Sequence, residues 1–252
     1  MRIILSPAKK MREDFDSLPW QDLPQFLPQT QGLLDRLRAM TGEELKRLWR
    51  CSDQIAAQNV ERLERMDLRR FLTPALLAYE GIQYRYMAPG VFSRLEWAYA
   101  QEHLRILSGF YGLLRPLDGV TPYRLEMGAK LRLGGAKDLY AYWGDRLALA
   151  LAEEDACILN LASKEYSAAV SRYLPSTVRF VTCVFGEEQG GKVVEKGTMC
   201  KMARGEMARF LTERQAEDPE QARDFDRLGY RFDPARSDGA ALVFLRRADP
   251  AG

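Results

Sequence analysis

Residues 107–145 read LSGFYGLLRPLDGVTPYRLEMGAKLRLGGAKDLYAYWGD. Glycine or proline recurs every few residues (Gly109, Gly112, Pro116, Gly119, Pro122, Gly128, Gly134, Gly135), so the stretch is built of turns rather than long periodic elements. Among the turns stand Arg115, Arg124, Lys130, Arg132 and Lys137, with Tyr111, Tyr123 and Tyr140 between them. From Arg105 to Lys137 there are six basic residues and two acidic ones, Asp118 and Glu126. Turns rich in cations and rings suit a polyanion: glycines let backbone amides approach it, arginines neutralise it, and aromatic rings pack beside it. The same composition also serves a segment that only connects elements and carries solvated charges.

Outward from this stretch, the totals set bounds. The chain has 252 residues and 28.8 kDa, enough to bury a full core, with 46% hydrophobic and 29% charged residues, as expected of a soluble globular protein. The net charge of +2 excludes a wholly cationic surface, so any polyanion site is a local patch. Cys51, Cys157, Cys183 and Cys200 show no metal-ligand spacing and read as reduced, mostly buried thiols of a cytosolic protein. His103 is the only histidine, which removes multi-histidine metal sites and most triad chemistry. Its setting, EHLRIL, suits a solvent-facing or locally hydrogen-bonded side chain. The start of the chain lacks a secretory pattern, and no run reaches the ~20 apolar residues that span a bilayer.

The flanking elements mix strand and helix patterns. RIIL (2–5) is expected as a buried strand, followed by the loop SPAKK with Ser6, Lys9 and Lys10 at a strand end; the glycine-rich phosphate loop is absent. Residues 11–29 read as an irregular wrap, and helical spacing begins near Gln31. Thr41 and Glu44 form a capping-box pattern ahead of one helix running to about Met66. ALLAY (75–79) reads as a buried strand, 82–102 as mostly helical with Ser93 as cap, and RILSG as a strand. Tyr123, Leu125 and Met127 alternate with Arg124 and Glu126, as on a strand whose polar face pairs or lines a cleft. Asp138 can cap a helix with the stripe Leu139, Trp143, Leu147 and Ala150, and Lys137 just before it suits an anion. CILNLA (157–162) reads as a central strand in which Asn160 needs partners, with Ser163, Lys164, Glu165 and Tyr166 at its end.

Towards the end of the chain, 177–185 and KVVEK form a hairpin around Gly190-Gly191. Thr198 is expected to cap a helix on which Lys201, Arg204, Gly205 and Ala208 share a face. That face is either a flat basic platform for a nucleic-acid backbone or a place where a neighbouring strand comes close. A short helix is expected over 219–227, and GYRFD (229–233) and ALVFLRR (241–247) read as two strands.

The chain resembles the bacterial YaaA proteins, the peroxide stress protein family. The resemblance rests on SPAK (6–9), LSGFYGLLRPLD (107–118), PYRLEMG (122–128), KDLYAYWGD (137–145), LNLASKEY (159–166), KMARG (201–205) and GYRFD (229–233). It implies a single α/β domain over 1–252, of mixed α+β kind with helices around a mixed sheet, known as the cantaloupe fold. It also implies a positively charged cleft and a helix-hairpin-helix element, which carries over to residues 107–113. The implied function is DNA binding without strong sequence specificity in a cytoplasmic peroxide response that limits oxidative damage and free iron. DNA contacts are then expected from Lys9, Gly109, Gly112, Arg115, Tyr123, Arg124, Lys137, Lys201 and Arg204. Such contacts would address the backbone of duplex or distorted DNA. The alternative is an enzyme acting on a nucleotide, nucleic acid or other anionic substrate, with Lys9 and Glu126 as candidate catalytic residues. No cofactor, resident metal or membrane partner is expected, and any effect on iron is expected to be indirect.

Overall fold

The first strand, β1 (Arg2–Leu5), is apolar on both sides and lies in the middle of the main sheet. The structure is a computed structural model and describes residues 1–246. After the two-residue strand β2 (Lys10–Met11) and an irregular wrap come α1 (Leu27–Arg38), α2 (Gly42–Trp49) and α3 (Asp53–Arg65). Then follow β3 (Thr73–Pro74), α4 (Ala75–Ala78), β4 (Tyr79–Glu80), α5 (Ile82–Met87) and α6 (Arg94–His103). The central stretch supplies β5 (Leu104–Ser108), β6 (Gly112–Leu114), β7 (Gly119–Val120), α7 (Leu139–Trp143) and α8 (Arg146–Glu154). The remainder forms β8 (Cys157–Asn160), α9 (Lys164–Ser171), β9 (Arg179–Gln189), β10 (Lys192–Val194), α10 (Gly197–Arg214), β11 (Tyr230–Phe232) and β12 (Ala241–Arg246).

Eight strands make one mixed sheet in the order β11-β12-β9-β8-β1-β5-β6, with β10 paired to β9. Neighbours from β12 through β9, β8 and β1 to β5 are parallel, and β6, β10 and β11 are antiparallel additions. The central parallel strands β1 and β8 are four-residue runs buried after their first residue, as expected of strands covered on both faces. The expectation of a mixed sheet surrounded by helices therefore holds. Chain leaving β1 leads eventually to β5 on one side, whereas chain leaving β8 leads to β9 on the other. Adjacent parallel strands whose connections diverge open a crevice at their carboxyl ends.

Several local readings change. Residues 107–113 form a β-hairpin, with Ile106 opposite Leu114 and Ser108 opposite Gly112, so no helix-hairpin-helix forms there. Gly112 takes φ 77° at the start of the return strand, a conformation that favours glycine. The helix expected to run from Thr41 to Met66 breaks at Arg50, which adopts a left-handed conformation, and restarts after Ser52 as α3. ALLAY is one helical turn and then β4, all of it buried except Glu80 beyond it. The stripe from Leu139 to Ala150 is buried as read but split between α7 and α8 at Gly144, φ 56°. The first turn of α1 begins four residues before Gln31 and contains Pro28, whose missing N–H falls among donors that a helix start leaves unbonded. Helix α10 starts at Gly197 with Lys196 before it, so Thr198 is inside the helix rather than at its cap. The helix expected over 219–227 is a 3-10 turn, Pro219–Asp224. Arg247, the last residue assigned to the final strand, lies outside the described residues.

Candidate functional site

The crevice at the carboxyl ends of β1 and β8 is a real cleft. The loop after β1 brings Ser6 against the start of α9, where the Ser163 amide donates to Ser6 Oγ at 2.8 Å and the two hydroxyls lie 3.3 Å apart. Tyr84 Oη, from α5, donates to the Ser6 carbonyl at 2.9 Å and fixes the loop from the other side. The resulting cleft holds about 400 Å³ and is walled by the 6–10 loop, α5, residues 123–126, the first turn of α9 and the outer side of α10.

The wall formed by 123–126 is extended but pairs with no strand. Its burial still alternates as the sequence implies: Tyr123, Leu125 and Met127 are buried, and Arg124 and Glu126 are half-buried towards the cleft. Glu126 is gripped from two sides, by Lys9 Nζ at 2.9 Å and Arg124 Nη2 at 3.9 Å. On the opposite wall Arg204 reaches Glu195 at 3.4 Å, and Lys164 reaches the same carboxylate at 3.1 Å. Five cations (Lys9, Lys10, Arg124, Lys201, Arg204) therefore line the cleft against three carboxylates, Glu80, Glu126 and Glu165. Glu165 is committed to structure, since its carboxylate accepts the Gly128 amide at 2.8 Å.

Behind the cleft lies a chain of hydroxyls. Tyr79 Oη and Tyr123 Oη are 2.8 Å apart, and Tyr123 Oη is 2.6 Å from Ser108 Oγ, which accepts the Phe110 and Tyr111 amides of the β5–β6 turn. Burial pushes the Tyr123 hydroxyl up to about 12 and raises those of Tyr79, Tyr84 and Tyr166 further. These phenols are neutral donors at physiological pH.

Lys9, Tyr123, Arg124, Lys201 and Arg204 are thus brought together, with the catalytic candidates Lys9 and Glu126 paired among them. The other expected contacts are elsewhere. Gly109 is buried behind the wall; a Cβ there would lie 2.6 Å from the Leu125 carbonyl, so its role is to let the 123–127 segment pack closely. Gly112 packs beneath Trp143. Arg115 is drawn to a separate charged depression, 3.7 Å from Glu154, which also binds Arg2 and the buried Arg105. Lys137 sits in the 132–137 turn, and the free amide it was expected to share is taken by Asp138, which accepts from Ala141 at 2.8 Å. The flat face of α10 is covered: Gly205 and Ala208 are buried, and α5, a helix rather than a strand, comes so close that a Gly205 Cβ would lie 2.1 Å from the Gln83 carbonyl. His103 is buried rather than solvent-facing, with Nδ1 2.9 Å from the Met1 carbonyl and its ring stacked on Tyr99. Asn160 finds its partners in Thr182 and the Ala162 amide.

Sequence reasoning missed Gln83 and Tyr84. They stand on a six-residue helix too short to show periodicity, and only the close approach at Gly205 brings them to the cleft. Among the described residues no group of three or more His, Cys, Asp or Glu side chains is placed to hold a metal ion, and no helix is long and apolar enough to cross a membrane.

A family model described as Peroxide stress protein YaaA matches residues 1–236. The chain belongs to the YaaA family. A UPF0246 protein of Lachnoclostridium phytofermentans is 54% identical over 246 residues, covering 98% of this chain and 96% of that one. UPF0246 proteins of Agathobacter rectalis and Lactiplantibacillus plantarum are 52% and 50% identical, each covered over 99% of its length, with 98% and 97% of this chain covered. The residues matched to the YaaA family model take in the strand ends and loops that build the cleft and every strand of the sheet except β12.

Proposed function

We propose that this chain serves the cytoplasmic peroxide response by binding DNA without strong sequence specificity through the cleft, thereby limiting damage linked to intracellular iron. Membership of a peroxide stress family supports the setting. The observation that carries the binding reading is the gathering of Lys9, Lys10, Arg124, Lys201 and Arg204 from three separate parts of the chain onto one crevice, in a protein whose net charge is only +2. Lysine and arginine at a strand-end crevice address phosphate and read little sequence. Anisotropy of labelled duplex, single-stranded and bulged DNA against salt concentration tests this. Several neutralised phosphates give a log–log slope of several units, at roughly 0.7–0.9 per phosphate. No binding at low salt overturns it.

A second reading is an enzyme acting on a nucleotide or a nucleic-acid end in the same cleft. It is favoured by Lys9 Nζ standing 2.9 Å from the Glu126 carboxylate, a pair able to pass a proton to and from a bound substrate. The cleft volume is near the small end of ligand pockets, which run roughly 300–1,000 Å³, a size that suits a nucleotide or a strand end. Lys9→Ala and Glu126→Gln are then expected to abolish turnover or cellular protection while DNA affinity persists. Parallel loss of both argues against separate chemistry.

A further inference from the structure

Among the described residues only four buried side-chain polar atoms lack a hydrogen-bond partner, and three of them, Gln83 Nε2, Arg124 Nε and Arg204 Nε, belong to residues that line the cleft. Native proteins leave few such groups unpaired, so three around one crevice call for an explanation. All three are donors. Gln83 is 7% exposed, and it comes from α5, Arg124 from the 123–127 wall and Arg204 from α10. What completes them is an acceptor that offers oxygens in several directions at once.

The first turn of α9 adds to this. Ser163 occupies the N-cap position in extended conformation, yet its side chain makes no cap hydrogen bond and faces Ser6 Oγ instead. The helix start that borders the cleft therefore has no side-chain oxygen capping it, and a helix N-terminus favours an anion.

We propose that the cleft is a subsite for a terminal phosphate, the phosphomonoester of a nucleotide or of a DNA strand end, held by Gln83, Arg124 and Arg204. A carboxylate has two oxygens, and a phosphodiester within a strand has two that are not bridging. A phosphomonoester has three and carries close to two charges at neutral pH. Three unpartnered donors on cleft-lining residues from three elements match the third oxygen, and arginine provides the fork geometry that phosphate recognition uses. Pro7, Ala8 and Ile82, half-buried on the same walls, offer apolar surface to the attached sugar or base. The inference rests on the cleft being the binding site, but not on the ligand being DNA.

The test compares affinities at fixed salt for 5′-phosphorylated, 3′-phosphorylated and hydroxyl-ended versions of one single strand, together with a nucleoside monophosphate and inorganic phosphate. At least one phosphorylated strand end, or the nucleoside monophosphate, is expected to bind about ten-fold or more tighter than the hydroxyl-ended strand. The extra charge alone gives part of any gain, so the control is Gln83→Leu, which changes no charge. It is expected to erase the preference while raising the melting temperature of the free protein, because a buried donor without a partner is removed. Arg204→Gln is expected to erase the preference as well. Preference for the strand end identifies broken DNA as the source, and preference for the nucleoside monophosphate or inorganic phosphate identifies a free metabolite. In the latter case the inference stands although the DNA reading fails. Equal affinity for phosphate and hydroxyl ends, or a preference that survives Gln83→Leu, overturns it.

Discussion

Asp118 shows what a single buried carboxyl does to this protein. It is 4% exposed, accepts the Arg115 amide at 2.8 Å, and is pushed up to about 7, chiefly by burial. The folded state thus holds this proton more tightly than the unfolded chain, whose carboxyl titrates near 4. Stability from this group is full below pH 4 and falls as pH rises to about 7, by about 2–4 kcal/mol at 1.36 kcal/mol per unit. Asp118→Asn keeps the acceptor for the amide and removes the titration. Urea unfolding of the variant is expected to show a flatter profile between pH 4 and 7 and a higher midpoint than the parent at pH 8.

The cysteines are a second matter at this scale. Cys183 and Cys200 are 1% and 3% exposed, and burial raises both thiols above their ordinary value. Only the thiolate reacts readily with peroxide or alkylating agents. Brief iodoacetamide treatment of the native protein at pH 7 is expected to leave both unmodified by mass spectrometry, and unfolding is expected to expose both. A role in the peroxide response then does not pass through oxidation of these thiols.

At the scale of elements, the contact between α5 and α10 decides the shape of the cleft. Replacing a helix-interior glycine with alanine normally stabilises by about 1 kcal/mol. At Gly205 the new Cβ would stand 2.1 Å from the Gln83 carbonyl and 3.0 Å from the Tyr86 Cβ, so α5 must retreat. Overpacking of this kind costs about 1–3 kcal/mol and outweighs the propensity gain. Gly205→Ala is therefore expected to lower the melting temperature and weaken ligand binding together. Gly197→Ala, at the open start of the same helix with nothing within 4 Å, is expected to be neutral or slightly stabilising. The sequence shows Gly205 and Ala208 as two small residues on one face, but the element that fills a flat face is a tertiary fact. The same holds for 123–127: alternation records burial, and no local pattern tells whether a strand partner exists. The capping box at Thr41 and the cap at Ser93 are legible because their partners lie within four residues, and both form, Ser93 as a full box with Glu96. The break at Arg50 is not, since the helical stripe on either side stays in phase.

At the scale of the whole molecule, cations spread along the sequence divide among three places. Lys9, Arg124, Lys201 and Arg204 converge on the cleft, whereas Arg115 belongs to the Glu154 network and Lys137 to a separate turn. Local charge density in the sequence picked the central stretch as a whole and could not separate these, because the sheet sends Arg115 and Arg124, nine residues apart, to different faces of the fold. The division makes DNA binding diagnostic of the cleft. Replacing a lysine that meets a phosphate is expected to lower the salt slope by roughly 0.7–0.9. Lys201→Gln is expected to show that drop and to weaken binding across all sequences alike, while Arg115→Gln and Lys137→Gln keep the parent slope. A fall in slope for Arg115→Gln with none for Lys201→Gln would move the DNA path off the cleft and onto the depression around Glu154. The phosphate would then have to compete with a carboxylate that already holds Arg2 and Arg105 at 3.0 and 2.7 Å. Charge neutralised twice gains little, and on that physical ground the slope is expected to fall at the cleft, whose arginines keep unpartnered donors, rather than at the depression.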